Sequence, residues 1–194
     1  IKKIIINSKE NKINNLLKFI RAYKVNIPAL YLENSITKGN IIYEIIISFR
    51  DKKLDQIEIA GKIIDTELNI LRKEKLKNVN LNFNYKNQNL KINNLKLKYK
   101  KTNFLSENIT VNINNNLINI KGDFKNKINH NLLSNFQDFD FKNYFDEKIL
   151  LNSKSNFEIT LSKKLKIKDY KIESKIKIDD INIYLKNIDL KNYI

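Results

Sequence analysis

The residues of this chain that could take part in catalysis are few and scattered. His130 is the single histidine, which excludes a histidine-based triad and a zinc site with several imidazoles. Two Ser-x-x-Lys tetrads, Ser35 to Lys38 and Ser174 to Lys177, have the spacing of the nucleophile and base in penicillin-recognising enzymes. The accompanying Ser-Asp-Asn and Lys-Thr-Gly elements are absent, and such tetrads arise by chance in a lysine-rich chain. We therefore predict no enzymatic activity.

Metal and cofactor sites are equally poorly supported by the sequence. The carboxylates of Asp138, Asp140, Asp146 and Glu147 are close together in the chain, but they lack the spacing and the glycine of an EF-hand calcium loop. The chain has no cysteine and only three widely separated glycines, so it has neither thiolate ligands nor a glycine-rich phosphate loop. We predict a solvated loop around these carboxylates, and no cofactor.

The formal charge of +16 would suit a nucleic-acid partner, because clustered lysines release counterions from phosphates. Nearly all the basic residues are lysines, however, with arginine only at positions 21, 50 and 72, whereas base recognition favours the bidentate guanidinium group. The lysines are spread along the chain, and Lys, Asn and Ile are the residues that AT-rich codons supply. Composition thus explains the charge, and we predict no nucleic-acid partner.

Residues 1–35 are predicted to contain the end of a strand and one amphipathic helix. Between Glu10 and Tyr23 the apolar residues recur at helical spacing, and the single proline, Pro28, follows. No run of about 18 apolar residues occurs anywhere in the sequence, so none of it is predicted to span a membrane. Because the chain has no methionine, we expect it to be a segment of a longer polypeptide.

Residues 36–129 show the two-residue period of β-strands. The clearest example is Asn78 to Tyr85, where every second residue is asparagine. A shift of phase at Asn93–Asn94 predicts a β-bulge, and Gly61 predicts a second one. Short polar turns separate successive strands, among them Asp51 to Asp55, so we expect each strand to pair with the next in an antiparallel meander.

Alternation stops between residues 130 and 152 and resumes in residues 153–194. The interruption is rich in leucine and phenylalanine, and we predict a short helix or packed loop that caps one end of the sheet. Strands after it continue the meander. The chain 1–194 is therefore predicted to be a single β unit with a helical or loop insertion.

The strands have one aliphatic and aromatic face and one Asn/Lys face, and the predicted helix is too short to cover a wide sheet. The apolar face needs a partner, which can be a second sheet in a sandwich or barrel, or acyl chains in an open groove. Pattern alone favours the closed core. In that alternative the protein is a structural or adhesive β-sandwich that binds an anionic partner through its lysine-rich surface.

A family resemblance favours the open groove. The stretch from Thr37, "TKGNIIYEIIISFRDKKLDQIEIAGKIIDTELNIL", continued by "SENITVNINNNLINIKGDFKN", resembles the AsmA-like envelope proteins, related to the TamB class. It is most similar to the YhdP-type region that contains DUF3971. Gly39, Gly61 with Asp65, and Gly122 lie at places comparable to the glycine steps of that family. The resemblance covers residues 10 to 190.

The resemblance implies a mainly β fold, in which a long, twisted antiparallel meander forms an open groove. It implies a place in the periplasm, anchored to the inner membrane by a segment outside this chain, and transport of phospholipid between the inner and outer membranes. The partners would be phospholipid acyl chains, with no homo-oligomer. The predicted groove-lining residues are Val79, Leu81, Phe83, Tyr85, Leu95, Leu97, Tyr99, Ile109, Val111 and Ile113.

Overall fold

The computed structural model describes residues 2–23, 27–70, 74–114, 116–129, 150–178 and 181–186 of the chain. Most of the predicted insertion, residues 130–149, lies outside this part, and so do His130 and the four neighbouring carboxylates. The strand after the insertion begins at Leu150, which is earlier than the predicted boundary at residue 152.

The described residues form one antiparallel sheet and two helices. The strands are β1 (Lys2–Asn7), β2 (Asn11–Lys12), β3 (Ile36–Arg50), β4 (Lys53–Ile70), β5 (Glu74–Lys86), β6 (Asn89–Tyr99), β7 (Thr102–Ile113), β8 (Leu117–Asn129), β9 (Leu150–Ser162), β10 (Ile167–Ile178) and β11 (Ile181–Lys186), and the helices are α1 (Ile13–Tyr23) and α2 (Ile27–Ser35).

The strand order is β1-β3-β4-β5-β6-β7-β8-β9-β10-β11, with β2 paired to β3. From β3 onward each strand pairs with the next in the chain, so the predicted antiparallel meander is confirmed. Among the described residues the sheet is open, because β1 and β11 form its two edges and do not pair with each other. The described strands make one layer and not the two packed sheets of a sandwich.

Two-residue turns connect β3 to β4 and β5 to β6. Asp51 and Lys52 join β3 to β4 with φ angles of 51° and 62°, and Asn87 and Gln88 join β5 to β6 with φ angles of 49° and 61°. Positive φ at both central residues is the geometry that matches the right-handed twist of the flanking strands. The turn predicted at Asp51 to Asp55 is therefore shorter than expected.

Extra residues interrupt the register at neighbouring levels of consecutive strands. Asp65, Asn78 and Asn94 have φ angles of 45°, 52° and 54° and lie at register shifts in β4, β5 and β6. A fourth shift occurs in β7 between Leu105 and Ile109. Because a bulge bends its strand and increases the local twist, a series of bulges at one level curves the sheet.

The sequence predicts one of these bulges correctly and misplaces another. The bulge at Asn93–Asn94 is confirmed by the shift at Asn94. The prediction at Gly61 is wrong, because Gly61 lies in continuous register between Tyr43 and Phe83. The extra residue of β4 lies at Asp65 instead, where a short polar side chain tolerates positive φ.

The N-terminal region contains two helices where one was predicted. Ile13 and Leu17 of α1 are buried and pack on Ile36 and Ile41 of β3, which places α1 on the sheet near its β3 side. Pro28 follows the first residue of α2, a position where its missing N–H has no helical partner to lose. The proline therefore opens a second helix as well as following the first.

Candidate functional site

One face of the sheet carries continuous cross-strand rows of apolar residues, and we call it the apolar face. Directly opposed residues in an antiparallel pair project to the same face, so the register defines each row. The row that extends from β1 to β10 consists of Ile6, Ile45, Ile59, Tyr85, Leu90, Val111, Ile120, Ile159 and Tyr170.

The adjacent row of the apolar face combines large side chains with two glycines. It consists of Tyr43, Gly61, Phe83, Ile92, Ile109, Gly122, Phe157 and Ile172. A Cβ added to Gly61 would lie 2.8 Å from Cζ of Phe83, and one added to Gly122 would lie 2.8 Å from Cζ of Phe157. Each ring therefore lies over the glycine of the neighbouring strand.

The ten predicted groove residues occupy the apolar face of β5, β6 and β7. Val79, Leu95 and Ile109 are buried and form a cluster with Phe157, while the other members of the set are half-buried. Six of the ten belong to this cluster, Phe83 packs on the cluster around Ile13, and three lie outside both. The six are Val79, Leu81, Leu95, Leu97, Ile109 and Val111, and the three are Tyr85, Tyr99 and Ile113.

The predicted set misses an aromatic group in the middle of the face. Phe124 stacks on Phe157 with ring centroids 5.1 Å apart and packs edge-on against Phe104 at 6.1 Å. These rings come from three neighbouring strands, β7, β8 and β9. The alternation of β7 and β8 contains Phe104 and Phe124, but only the strand register shows that Phe157 joins them.

Only the part of the apolar face near β3 has a covering layer in the described residues. There α1 and α2 lie against β3 and β4. Toward the β1 edge, Ile4 and Ile6 are 50% and 45% exposed, and Ile57 is 40% exposed. A row of large apolar side chains thus lies open to solvent, and an exposed patch of this kind usually marks a contact surface.

The opposite face, here called the polar face, carries mainly Lys, Asn and Glu. Several of its lysines pair with a glutamate across a strand boundary, including Lys86 with Glu58 at 3.2 Å and Lys121 with Glu158 at 3.0 Å. The amide of Asn84 donates to Glu58 at 3.1 Å. This hydrogen bond, with that from Lys86, holds the pKa of the Glu58 carboxyl below its ordinary value.

The two Ser-x-x-Lys tetrads place their serine and lysine in different surroundings. Ser35 ends α2, while the Lys38 ammonium lies 3.5 Å from carboxylate oxygens of both Asp65 and Glu67, and these carboxylates raise the pKa of Lys38. The Ser174 hydroxyl is 2.7 Å from that of Ser155 on the apolar face. Lys177 is an odd number of residues further along β10 and so belongs to the other face.

Within the described part of the chain, no three His, Cys, Asp or Glu side chains are grouped to hold a metal ion.

No family model, curated protein or solved structure matches the chain. Among the described residues, neither α1 nor α2 is long and apolar enough to cross a membrane.

Proposed function

We propose that the apolar face holds phospholipid acyl chains, and that the chain is a periplasmic groove segment of an AsmA-like protein that moves phospholipid between the inner and outer membranes. The observation that carries this proposal is the uninterrupted apolar row from Ile6 to Tyr170 on a sheet that is curved by bulges and not closed. The sequence resemblance supports the cellular setting, including an inner-membrane anchor outside this chain and a role in outer-membrane integrity.

The dimensions suit an acyl chain. Neighbouring strands lie about 4.8 Å apart, so the row from β1 to β10 extends about 38 Å along the curve of the sheet. The acyl chains of one leaflet extend about 15 Å, half of a hydrocarbon core of about 30 Å. The row is therefore long enough for an acyl chain to occupy several neighbouring positions.

The chemistry of the row favours binding without a fixed register. Its members are all aliphatic or aromatic, and none of them is a charged residue. Complete burial of an exposed Val, Leu or Ile side chain contributes about 1.5 to 3 kcal/mol, and each half-buried member of the row can contribute part of this. Dispersion contacts have no strict direction. An acyl chain bound this way can move along the row by exchanging one contact for an equivalent one. No catalytic residue is required.

Native mass spectrometry tests the proposal most directly. The chain is purified from a bacterial host without added detergent, lipids are extracted, and an unrelated protein of similar basic charge serves as the control. We expect phospholipid to co-purify with the chain and not with the control. A lipid-free chain that unfolds cooperatively as a monomer would contradict the proposal and indicate that another partner covers the apolar face.

A further inference from the structure

A row of lysines crosses the polar face near one end of β6 to β10. The register places Lys125, Lys154 and Lys175 directly opposite one another on β8, β9 and β10, and we call these three residues the lysine ladder. The same row continues through Leu105 of β7 to Lys96 of β6. The next row toward the strand ends adds Lys127 and Lys177, each opposite Asn152.

Among the described strands, the ladder is where three lysines lie opposite one another in succession, whereas Arg50 with Lys53 and Lys77 with Lys98 are single like-charge pairs. Four residues earlier on β8, Lys121 faces Glu158 of β9 and forms an ion pair of 3.0 Å. Lys125 faces Lys154 instead, and its carboxylate partner is Glu107 of β7. Like charges directly opposite each other destabilise a sheet. A concentration of three such lysines is therefore better explained by an anionic partner than by folding stability.

The surroundings of the ladder indicate an extended partner. The lysines line a hollow of about 650 Å³ that also contains Leu105 and Asn152. From β6 to β10 the row extends about 19 Å, since strands lie about 4.8 Å apart. This is wider than one phosphate group, so several anionic groups are needed to occupy it.

Leu105 identifies the kind of partner. Its side chain is 47% exposed in the middle of the row, with Lys96 and Lys125 opposite it on the two neighbouring strands. An exposed apolar side chain among lysines matches a bilayer interface, where the leucine contacts the acyl region and the ammonium groups reach lipid phosphates. All the basic residues of the row are lysines, whereas nucleic-acid recognition favours the bidentate guanidinium group of arginine.

We propose that the lysine ladder and Leu105 form a docking surface for an anionic phospholipid membrane. Each lysine near such a surface contributes on the order of 1 kcal/mol of attraction, and the contribution is screened by salt. This surface is on the opposite face from the apolar rows, so the inference does not rest on lipid binding by the apolar face.

Vesicle flotation with the full chain tests the inference. Vesicles of phosphatidylcholine alone are compared with an equimolar mixture of phosphatidylcholine and phosphatidylglycerol. The ladder variant is Lys125→Gln/Lys154→Gln/Lys175→Gln, and the control with the same net charge is Lys53→Gln/Lys91→Gln/Lys164→Gln, whose lysines are exposed outside the row. We expect the ladder variant to bind the anionic vesicles roughly a hundredfold more weakly than the natural chain, and the control to lose far less.

Further arms of the same experiment separate charge from other causes. Glu107→Gln removes the carboxylate partner of Lys125 and is expected to strengthen binding to anionic vesicles, and salt of about 1 M is expected to abolish it. The urea midpoint of the ladder variant is expected to change little, because the removal of opposed like charges offsets the loss of the exposed ion pair between Lys125 and Glu107. Equal binding by the ladder and control variants would overturn the inference, and so would tighter binding to duplex DNA than to anionic vesicles at the same salt concentration.

Discussion

Phe157 on β9 lies directly opposite Gly122 on β8, and its ring occupies the space where a side chain at residue 122 would be. Ile109 approaches the same space from β7, with its Cγ1 also 2.8 Å from the Cβ that would be added to Gly122. Two strands that flank β8 thus make apolar contact across it. The ring of Phe83 on β5 likewise lies over Gly61 on β4, where the nearest atom of β3 is the carbonyl oxygen of Ile42.

Gly122→Ala tests how tightly this contact is packed. In a strand interior, alanine would ordinarily be favoured over glycine by about 0.5 to 1 kcal/mol. Here the added methyl group would lie 2.8 Å from both Phe157 and Ile109, so we expect overpacking to lower the free energy of unfolding by about 1 to 3 kcal/mol. Urea denaturation measures the change.

The matched control for this substitution is a double-mutant cycle with Phe157→Leu. A shorter side chain at residue 157 removes one of the two close contacts to the methyl group and leaves that with Ile109, so Gly122→Ala is expected to cost less in that background. Additive effects of the two substitutions would show that the ring does not restrict residue 122.

Asn80 is predicted to hold the bulge of β4 in place. Its side-chain oxygen accepts a hydrogen bond of 3.1 Å from the N–H of Asp65, and its amide donates at 3.0 Å to the carbonyl of Asn78. Asn80→Ala removes the hydrogen-bond partner of the Asp65 N–H and that of the Asn78 carbonyl. We expect a loss of about 1 kcal/mol in the free energy of unfolding. Amide hydrogen exchange at Asp65 should become faster.

Asn82→Ala is the comparison for that variant, since residue 82 lies two positions further on the same strand and face. We expect its effect on stability to be within about 0.5 kcal/mol. If Asn80→Ala is no more destabilising than Asn82→Ala, the two hydrogen bonds do not stabilise the bulge.

The sequence predicts the sheet well because alternation along each strand is a local property. The period of Asn78 to Tyr85 fixes which face those residues occupy, and short polar turns make consecutive strands pair. The bulge at Asn94 is visible because it reverses the phase of apolar residues. The bulge at Asp65 is not visible in this way, since Ile63 and Ile64 are both apolar and conceal the shift.

Cross-strand relationships cannot be predicted in the same way. The alignment of Gly122 with Phe157 joins strands separated by the insertion, and the row of Lys125, Lys154 and Lys175 depends on the register of three strands. In the sequence these lysines are part of a charge spread over the whole chain. A shift of one residue in either pairing would place them on opposite faces.

The stability of the chain is expected to depend on pH through Glu58. The hydrogen bond from Asn84, together with Lys86, keeps the pKa of Glu58 in the folded chain below its ordinary value. A carboxyl whose pKa is lowered by folding stabilises the protein above its unfolded-state pKa, and this stabilisation is lost as the pH falls through the folded-state pKa. Glu58→Gln should therefore lower the urea midpoint at neutral pH and have little effect in strong acid.

Asn84→Ala provides an independent check on the cause. Without the amide donor, the pKa of Glu58 should move up toward its ordinary value, which a carbon-13 NMR titration of the carboxyl measures. An unchanged titration curve would show that Lys86 alone maintains the lowered pKa.

The assignment of lipid to the apolar face is tested by a pair of neighbouring substitutions on β7. Val111 belongs to the long apolar row, between Leu90 and Ile120, whereas Thr110 lies on the polar face between Lys91 and Lys121. A carboxylate at residue 111 would have to be desolvated by a bound acyl chain, which costs several kcal/mol for an unpaired charge. At residue 110 it would lie beside two lysines.

We expect Val111→Asp to abolish phospholipid co-purification and Thr110→Asp to retain it. Circular dichroism of both variants verifies that the sheet is intact, and equal lipid retention by two folded variants would exclude this face as the acyl-chain site.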